Sequence, residues 1–407
     1  MKLLVTIHSH FQSVEGEVFS HHLTYERFWK RYLGVFSSVL VVSRVRAVAT
    51  IPDDWNKATG PGVEFCAVPD YYGPWEYLRV RGKVASVLRD AIKRSNAYIL
   101  RLPGMLGTLV WKNLPKGTPY GVEVVMDPWD AFAPGSVKSL GRSFFRQQWT
   151  RNLKKQCRQA VAASYVTEYA LQQRYPPNDD AFTTHYSSVD LDSSFIISDP
   201  GKRLADIETI PKRLQGNGSP VRLGFIGSFS QGHKRPDLHI RALSKCVVQG
   251  ANVLLEMIGD GFMVSNMKNL ARRLGVAERV IFRGRIPGGK PIFDAIDTFD
   301  LLLNATATEG LPRVVIEAMA RGCPCIGSDV GGISELIQDG FLVPPLNPTA
   351  LADKIIEVLK DPKRMADVVS HSINHARQYC RDALQPRRRA FYQALQERTE
   401  KYLSERL

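Results

Sequence analysis

Short β-rich apolar runs alternate along this chain with longer stretches whose apolar residues recur at helical spacing. That alternation predicts parallel sheets covered by helices. In the first half, strands are expected at 2–7, 38–42, 98–101, 120–126 and 163–167, and helices at 24–35, 82–94 and 140–159. Between 176 and 220 turn formers dominate, as in Pro176-Pro177-Asn178-Asp179-Asp180 and Gly216-Asn217-Gly218-Ser219-Pro220. This reads as a linker, with a domain boundary near residue 215. The alternation then restarts, with strands at 221–226, 253–258, 280–283, 301–304 and 325–328. Helices are expected at 235–249, 264–274, 311–321 and 348–360, and a long tail helix from 386. The expectation is a doubly wound α/β domain over 1–215, a second over 216–380, and a C-terminal helix over 381–407 packing back on the first. Two such sheets facing each other place a ligand in the cleft between them, at the carboxyl ends of the strands.

A length of 407 residues suits two or three domains. No apolar window of about 18 residues occurs, so no membrane-spanning helix is expected. The run before His8 and His10 is too short for a signal peptide and reads as a first buried strand. Six cysteines lie scattered without paired spacing, which fits free thiols in a reducing cytoplasm. Cys323-Pro324-Cys325 has the spacing of neither a metal nor a redox motif. The net charge of +14 suggests anionic partners. The excess is spread evenly over both halves, except that 131–167 holds no acidic residue and seven basic ones.

The most informative stretch runs from Thr308 to Pro324, after a strand and into a helix. Pro312 suits a first helical position, and amides at such a helix start hold a phosphate well. Glu309 and Glu317 supply two carboxylates, each able to accept two hydroxyl donors, as a ribose and a sugar ring require. Taken alone, the same residues also describe an ordinary surface helix.

Glu309 and Glu317 are followed by Ala318-Met319-Ala320-Arg321-Gly322-Cys323-Pro324, by Gly331-Gly332 and by Glu335. With Gly227-Ser228, Lys234, Gly259-Asp260-Gly261 and Val280-Ile281-Phe282-Arg283-Gly284 in order before them, this set resembles glycosyltransferase family 4. The resemblance covers Val221 to about Lys360. It implies the GT-B fold, two Rossmann-like domains facing a central cleft, and retaining transfer from a nucleotide-sugar. On that resemblance Glu317 binds the donor ribose, and Glu309 lies near the transferred sugar. The amides around Gly310 and Leu311 face sugar and phosphates, and Lys234 holds the diphosphate. Gly227, Ser228, Gly259, Gly261, Phe282 and Arg283 complete the donor side. Ser228 stands where many members carry arginine, so that phosphate contact is either missing or supplied by Arg235 or Arg313. No cofactor and no metal is expected. The resemblance implies front-face attack, with the leaving diphosphate taking the acceptor's proton.

The first half is less legible. Where many members carry Gly-Gly after the first strand, this chain has His8-Ser9-His10-Phe11. Asp127 and Arg101, at strand ends, are candidates to bind the acceptor or polarise its hydroxyl, and His10 is a further candidate on the acceptor side. Asp127 is equally suited to capping the turn before Pro128. His8, His10, His21 and His22 match no metal-ligand spacing, and Asp53-Asp54 and Asp179-Asp180 read as loop acids. Within the acid-free stretch, Phe145, Trp149, Leu153 and Cys157 form one helical stripe. Lys138, Arg142, Arg146, Arg151, Lys154, Lys155 and Arg158 surround it. The pattern suits an anionic membrane surface as well as a core-facing side with solvated flanks. The expected acceptor is a lipid-linked or growing surface glycan, with the enzyme on the cytoplasmic face of the membrane and no nucleic-acid partner. A nucleotide-sugar epimerase type of GT-B enzyme and a non-catalytic sugar-binding relative are the rivals. Neither the donor base nor the acceptor is fixed by these residues.

Overall fold

The computed structural model describes residues 1–21, 23–53, 55–136 and 141–406. His22, Asp54, Lys138 and the expected helix start at 140 lie outside the described residues. The chain divides into two compact units. One comprises 1–125, 148–186 and 385–407, and the other comprises 126–147 and 187–384.

The first unit contains β1 (Lys2–Val14), β2 (Glu17–Ser20), β3 (Ser38–Ala47), β4 (Asn56–Lys57) and β5 (Val63–Val68). It continues with β6 (Ala97–Leu102), β7 (Gly121–Val124), β8 (Ala162–Tyr165) and β9 (Phe182–His185). Seven of these run parallel in the order β5-β3-β1-β6-β7-β8-β9, while β2 pairs antiparallel with the far end of β1 and β4 with β2. The order therefore reverses between β1 and β6. Leu3, Leu4, Val5, Val39, Leu40, Val41, Ile99 and Leu100 are fully buried, as near-continuous apolar strands must be when both faces of a sheet are covered. From residue 385 the C-terminal helix (Arg381–Ser404) belongs to this unit and buries Phe391, Tyr392 and Leu395.

The second unit contains β10 (Val221–Ile226), β11 (Val253–Ile258), β12 (Val280–Gly284), β13 (Leu301–Asn304), β14 (Cys325–Ser328) and β15 (Leu342–Val343). They are all parallel, in the order β12-β11-β10-β13-β14-β15. That is the doubly wound order, with its reversal between β10 and β13.

The stretch expected to be a linker holds β9 and a helix, Gly201–Leu214, which contacts β10 and the Pro362–Ala376 helix. Arg213 anchors that helix by two hydrogen bonds to Asp300, of 2.9 and 2.7 Å. The division between units accordingly falls at Tyr186/Ser187. Ile207, Ile210 and Leu214 carry the apolar helical spacing there, but Pro211 inside the helix hides it. Strand β5 and the helices Lys290–Asp297 and Pro362–Ala376 are further elements the pattern did not yield. The region expected as a helix over 24–35 is a π turn, Tyr25–Trp29, followed by a 3-10 turn, Lys30–Gly34.

Candidate functional site

In a doubly wound sheet, the loops leaving the two strands at the order reversal diverge and open a crevice. In the second unit those loops follow β10 and β13, and they carry Lys234 and Glu309. The two side chains form an ion pair, 19% and 11% exposed. The loops are also joined through the backbone, since Ala307 N–H donates to the His233 carbonyl at 2.8 Å.

Behind them lies His239, fully buried on the Pro236–Val248 helix. Its Nε2 accepts from Ala305 N–H at 3.2 Å, which requires Nδ1 to carry the proton and donate to the Arg235 carbonyl, 3.1 Å away. Burial holds this imidazole down at about 4, so it stays neutral and keeps both bonds. Arg235 itself takes a left-handed backbone (φ 47°, ψ 52°), which swings the chain from Lys234 into the helix. His239 thus fixes both loops of the reversal, and nothing in its local sequence announced it.

Two glycines let neighbouring loops close on this point. A Cβ on Gly259 would stand 1.9 Å from the Gly227 carbonyl oxygen, and one on Gly331 would stand 1.9 Å from that of Glu309. Both also have positive φ, 137° and 56°, so a side chain is excluded twice over. Gly332 N–H donates to the Gly310 carbonyl at 2.8 Å, and Gly331 N–H to Asp130 at 3.3 Å. Gly261 N–H is held by Asp260 at 2.7 Å, and Ser228 accepts from Ser230 N–H at 3.1 Å.

The helix after β13 spans Arg313–Ala320, with Pro312 at its N-cap, one position earlier than expected. Among the described residues, no backbone carbonyl takes the amides of Gly310, Leu311, Arg313 or Val314. Glu317 sits in the second turn, partly exposed. Burial pushes its carboxyl up to about 7, against the opposite pull of Arg313.

Other candidates are turned elsewhere. Arg235 is bound by its own Asp237 at 2.9 and 2.8 Å, so its guanidinium is committed locally and Arg313 is the exposed arginine of the pair. Arg283 reaches the buried Glu256 at 3.2 Å, and Phe282 stays half-exposed beside Phe229 and Lys268. Arg101 pairs at 2.5 Å with Glu123, a buried carboxylate that also takes the Tyr186 hydroxyl at 2.9 Å. Asp127 is buried and caps the Pro128–Ala131 turn by accepting from Trp129 N–H at 2.8 Å. Arg101 and Asp127 thus each have a structural partner besides the acceptor role expected of them. His10 pairs with Asp70. Among the described residues, no group of three or more His, Cys, Asp or Glu side chains is placed to hold a metal. All six cysteines are free.

The expected stripe on the Arg142–Gln159 helix splits. Leu153 and Cys157 are core, whereas Phe144 is 66% and Phe145 37% exposed. Trp149 is half-exposed, and Lys154 and Lys155 face solvent. Arg146 lies over the Trp129 ring at 3.7 Å, and Arg142 donates to the Phe132 carbonyl.

Residues 220–361, which hold the whole Lys234–Glu309–Glu317 arrangement, match the family described as Glycosyl transferases group 1. The family match covers this segment, about a third of the chain. Protein CapJ of Staphylococcus aureus is 28% identical over 83% of this chain and 80% of its own length. The N-acetyl-alpha-D-glucosaminyl L-malate synthase of Bacillus anthracis is 31% identical over half of each chain. The fold is GT-B. The structure of sucrose-phosphate synthase from Thermosynechococcus elongatus superposes with a TM-score of 0.67, covering 97% of this chain and 99% of that one at 16% identity. Anabaena HepE, solved with UDP-glucose, gives a TM-score of 0.60 over the full length of both at 19% identity. Among the described residues, no helix is long and apolar enough to cross a membrane.

Proposed function

We propose that the enzyme transfers a hexosyl unit, with retention of configuration, from a nucleotide-sugar to a lipid-linked or growing surface glycan. The observation that carries the donor half of this reading is the Lys234–Glu309 pair at the order reversal, beside the amides of Gly310, Leu311, Arg313 and Val314, which no backbone carbonyl of the described residues takes. A diphosphate entering there takes over the Lys234 ammonium and the helix-start amides. Glu309 is then released to accept hydroxyls of the sugar. Lys234 stabilises the leaving diphosphate as its charge grows, the kind of fixed electrostatic contact that speeds a transfer most. Glu317, with no hydrogen bond from the described residues, accepts the two hydroxyls of a ribose. HepE was solved with UDP-glucose, which supports a nucleotide-hexose donor.

The membrane side of the proposal rests on Phe144, Phe145, Trp129 and Trp149, exposed to differing degrees on and beside a helix free of acids. Arg142, Arg146, Lys154 and Lys155 give it the charge to meet anionic lipid. No metal or other cofactor enters this scheme.

The test is incorporation of labelled hexose into a polyprenyl-diphosphate-linked N-acetylhexosamine presented on anionic vesicles, with product anomeric configuration read by NMR. An α-linked product from an α-linked donor supports the reading. Free hexose and nucleotide at the same rate with and without acceptor would favour an epimerase-like or hydrolytic enzyme. Equal recovery from neutral and anionic vesicles would remove the membrane part.

A further inference from the structure

The helix that follows β13 begins with a positive charge. Arg313 is its first residue, and the side chain is exposed. The helix dipole puts its own positive end there, so a cation at that position is disfavoured unless an anion lies in front of it. Glu317 does not supply that anion. It stands one turn on, in the weaker of the two orders for an ion pair four residues apart. Arg313 acts on it through charge alone, with no hydrogen bond between them, and burial outweighs that pull.

The space before the helix holds several hydrogen-bond donors. The Gly310 carbonyl accepts from Gly332 N–H at 2.8 Å, which fixes the Gly310–Leu311 peptide plane. In a trans peptide the N–H points opposite to the carbonyl, so Leu311 N–H is directed away from Gly332. Among the described residues, no backbone carbonyl takes it or the amides of Gly310, Arg313 and Val314. Pro312 has no N–H to add. Side chains of a first helical turn lean back over the helix start, where the Arg313 guanidinium makes up for that lost donor. Thr306 and Thr308, in the same loop, are 0% and 2% exposed, and their hydroxyls have no hydrogen-bond partner among the described residues. Buried hydroxyls in that condition point to a ligand or an ordered water beside them.

The other cations on the two loops at the order reversal have other engagements. Arg235 is forked onto Asp237 at 2.9 and 2.8 Å. Burial and the Lys234 charge hold His233 below its ordinary 6.5, so it is neutral at pH 7. Ser228 brings no charge, and its hydroxyl takes Ser230 N–H at 3.1 Å. Lys234 is paired with Glu309. The diphosphate of a nucleotide-sugar carries a negative charge on each phosphate. Lys234 balances one of them. Arg313 is the guanidinium left for the other, and its planar fork fits two phosphate oxygens at once.

We propose that Arg313 is the second diphosphate-binding cation of this protein, its guanidinium holding the phosphate that bears the sugar. This rests on the donor binding proposed above. Calorimetric titration tests it with the mono- and diphosphates of uridine, guanosine and adenosine, then with the hexose and hexuronate conjugates of the base that binds. Wild type, Arg313→Gln and Arg313→Lys are compared. Arg313→Gln is expected to bind the diphosphate at least about tenfold more weakly, the scale of one lost charge-assisted contact. Its affinity for the monophosphate stays within about twofold, because the contacted group is absent, and Arg313→Lys recovers part of the loss. The ligand-free Tm of Arg313→Gln equals or exceeds that of the wild type, since a charge opposed to the dipole is gone. An unchanged diphosphate affinity, an equal loss for mono- and diphosphate, or a loss confined to the hexuronate conjugates would each overturn the assignment while leaving donor binding intact. A Tm lowered together with the affinity would make Arg313 a structural residue and overturn it as well. A wild type that binds no nucleotide would overturn both readings.

Discussion

Lys234 and Glu309 neutralise each other in the structure, and each is mostly shielded from solvent. Removing one leaves the other shielded and unpaired, so the two substitutions interact. Lys234→Met is expected to lower kcat by about 10²–10³, the scale of losing one preorganised contact to a developing anion. Glu309→Gln lowers it too, and the double variant costs less than the product of the singles. A double-mutant cycle on kcat measures this. Glu317 gives a pH prediction. Its carboxyl titrates near 7 in the folded protein against an ordinary 4.5. Below 4.5 both states hold the proton. Between 4.5 and 7 the folded state binds it more tightly, so the ligand-free protein loses stability as pH rises through that window. Glu317→Gln removes this loss, and its Tm should fall less than that of the wild type between those pH values. Ribose hydroxyls prefer the ionised carboxylate, so wild-type nucleotide affinity should rise from about pH 6 to about pH 8. A flat affinity profile would contradict that role for Glu317.

At the level of elements, the donor site is held by the Pro236–Val248 helix, through His239, against the end of β13. His239→Phe keeps the bulk and loses both bonds, leaving Ala305 N–H and the Arg235 carbonyl unsatisfied in a buried place. The expected cost is about 1–3 kcal/mol of stability, read by denaturant unfolding. A kcat loss beyond that of neighbouring core variants is also expected, with partial recovery in His239→Gln. The alternation of strands and helices made the second unit largely legible. Each buried parallel strand is a short apolar run, and the motif loops lie directly after such runs. The segment 176–220 was not legible, because Pro211 and the turn-rich flanks conceal Gly201–Leu214. On the candidate site, order and spacing singled out Lys234, Glu309 and Glu317, and the structure brings the first two together. Arg101, Asp127 and Arg235 looked available only because their partners are invisible in a linear reading. Glu123 lies beside Arg101 on the neighbouring strand, and the Asp127 carboxylate turns back to its own helix start. Asp70 was missed because nothing local to it announces a pairing with a histidine sixty positions away.

On the scale of the whole molecule, the chain crosses from unit to unit more than once, and its last helix completes the first unit. Phe391, Tyr392 and Leu395 are each fully buried there, and side chains of this size contribute about 1.5–3 kcal/mol apiece. Their sum rivals the whole stability of a typical domain, about 5–15 kcal/mol. Deleting 385–407 is therefore expected to unfold the first unit, seen as loss of cooperative melting and rapid proteolysis of 1–125. Survival of that region would contradict the packing. The +14 charge is a property of the entire chain, and 131–167 concentrates a part of it beside exposed aromatics. The central claim is that the second unit binds a nucleotide-sugar through Glu317 and Lys234, and calorimetric titration tests it most directly. UDP, GDP, ADP and their hexose conjugates are titrated into wild type and Glu317→Ala at about pH 8. One base is predicted to bind the wild type, with at least about tenfold weaker binding to the variant, the scale of one lost charge-assisted contact. Binding of no nucleotide, or equal binding to both proteins, would contradict the account.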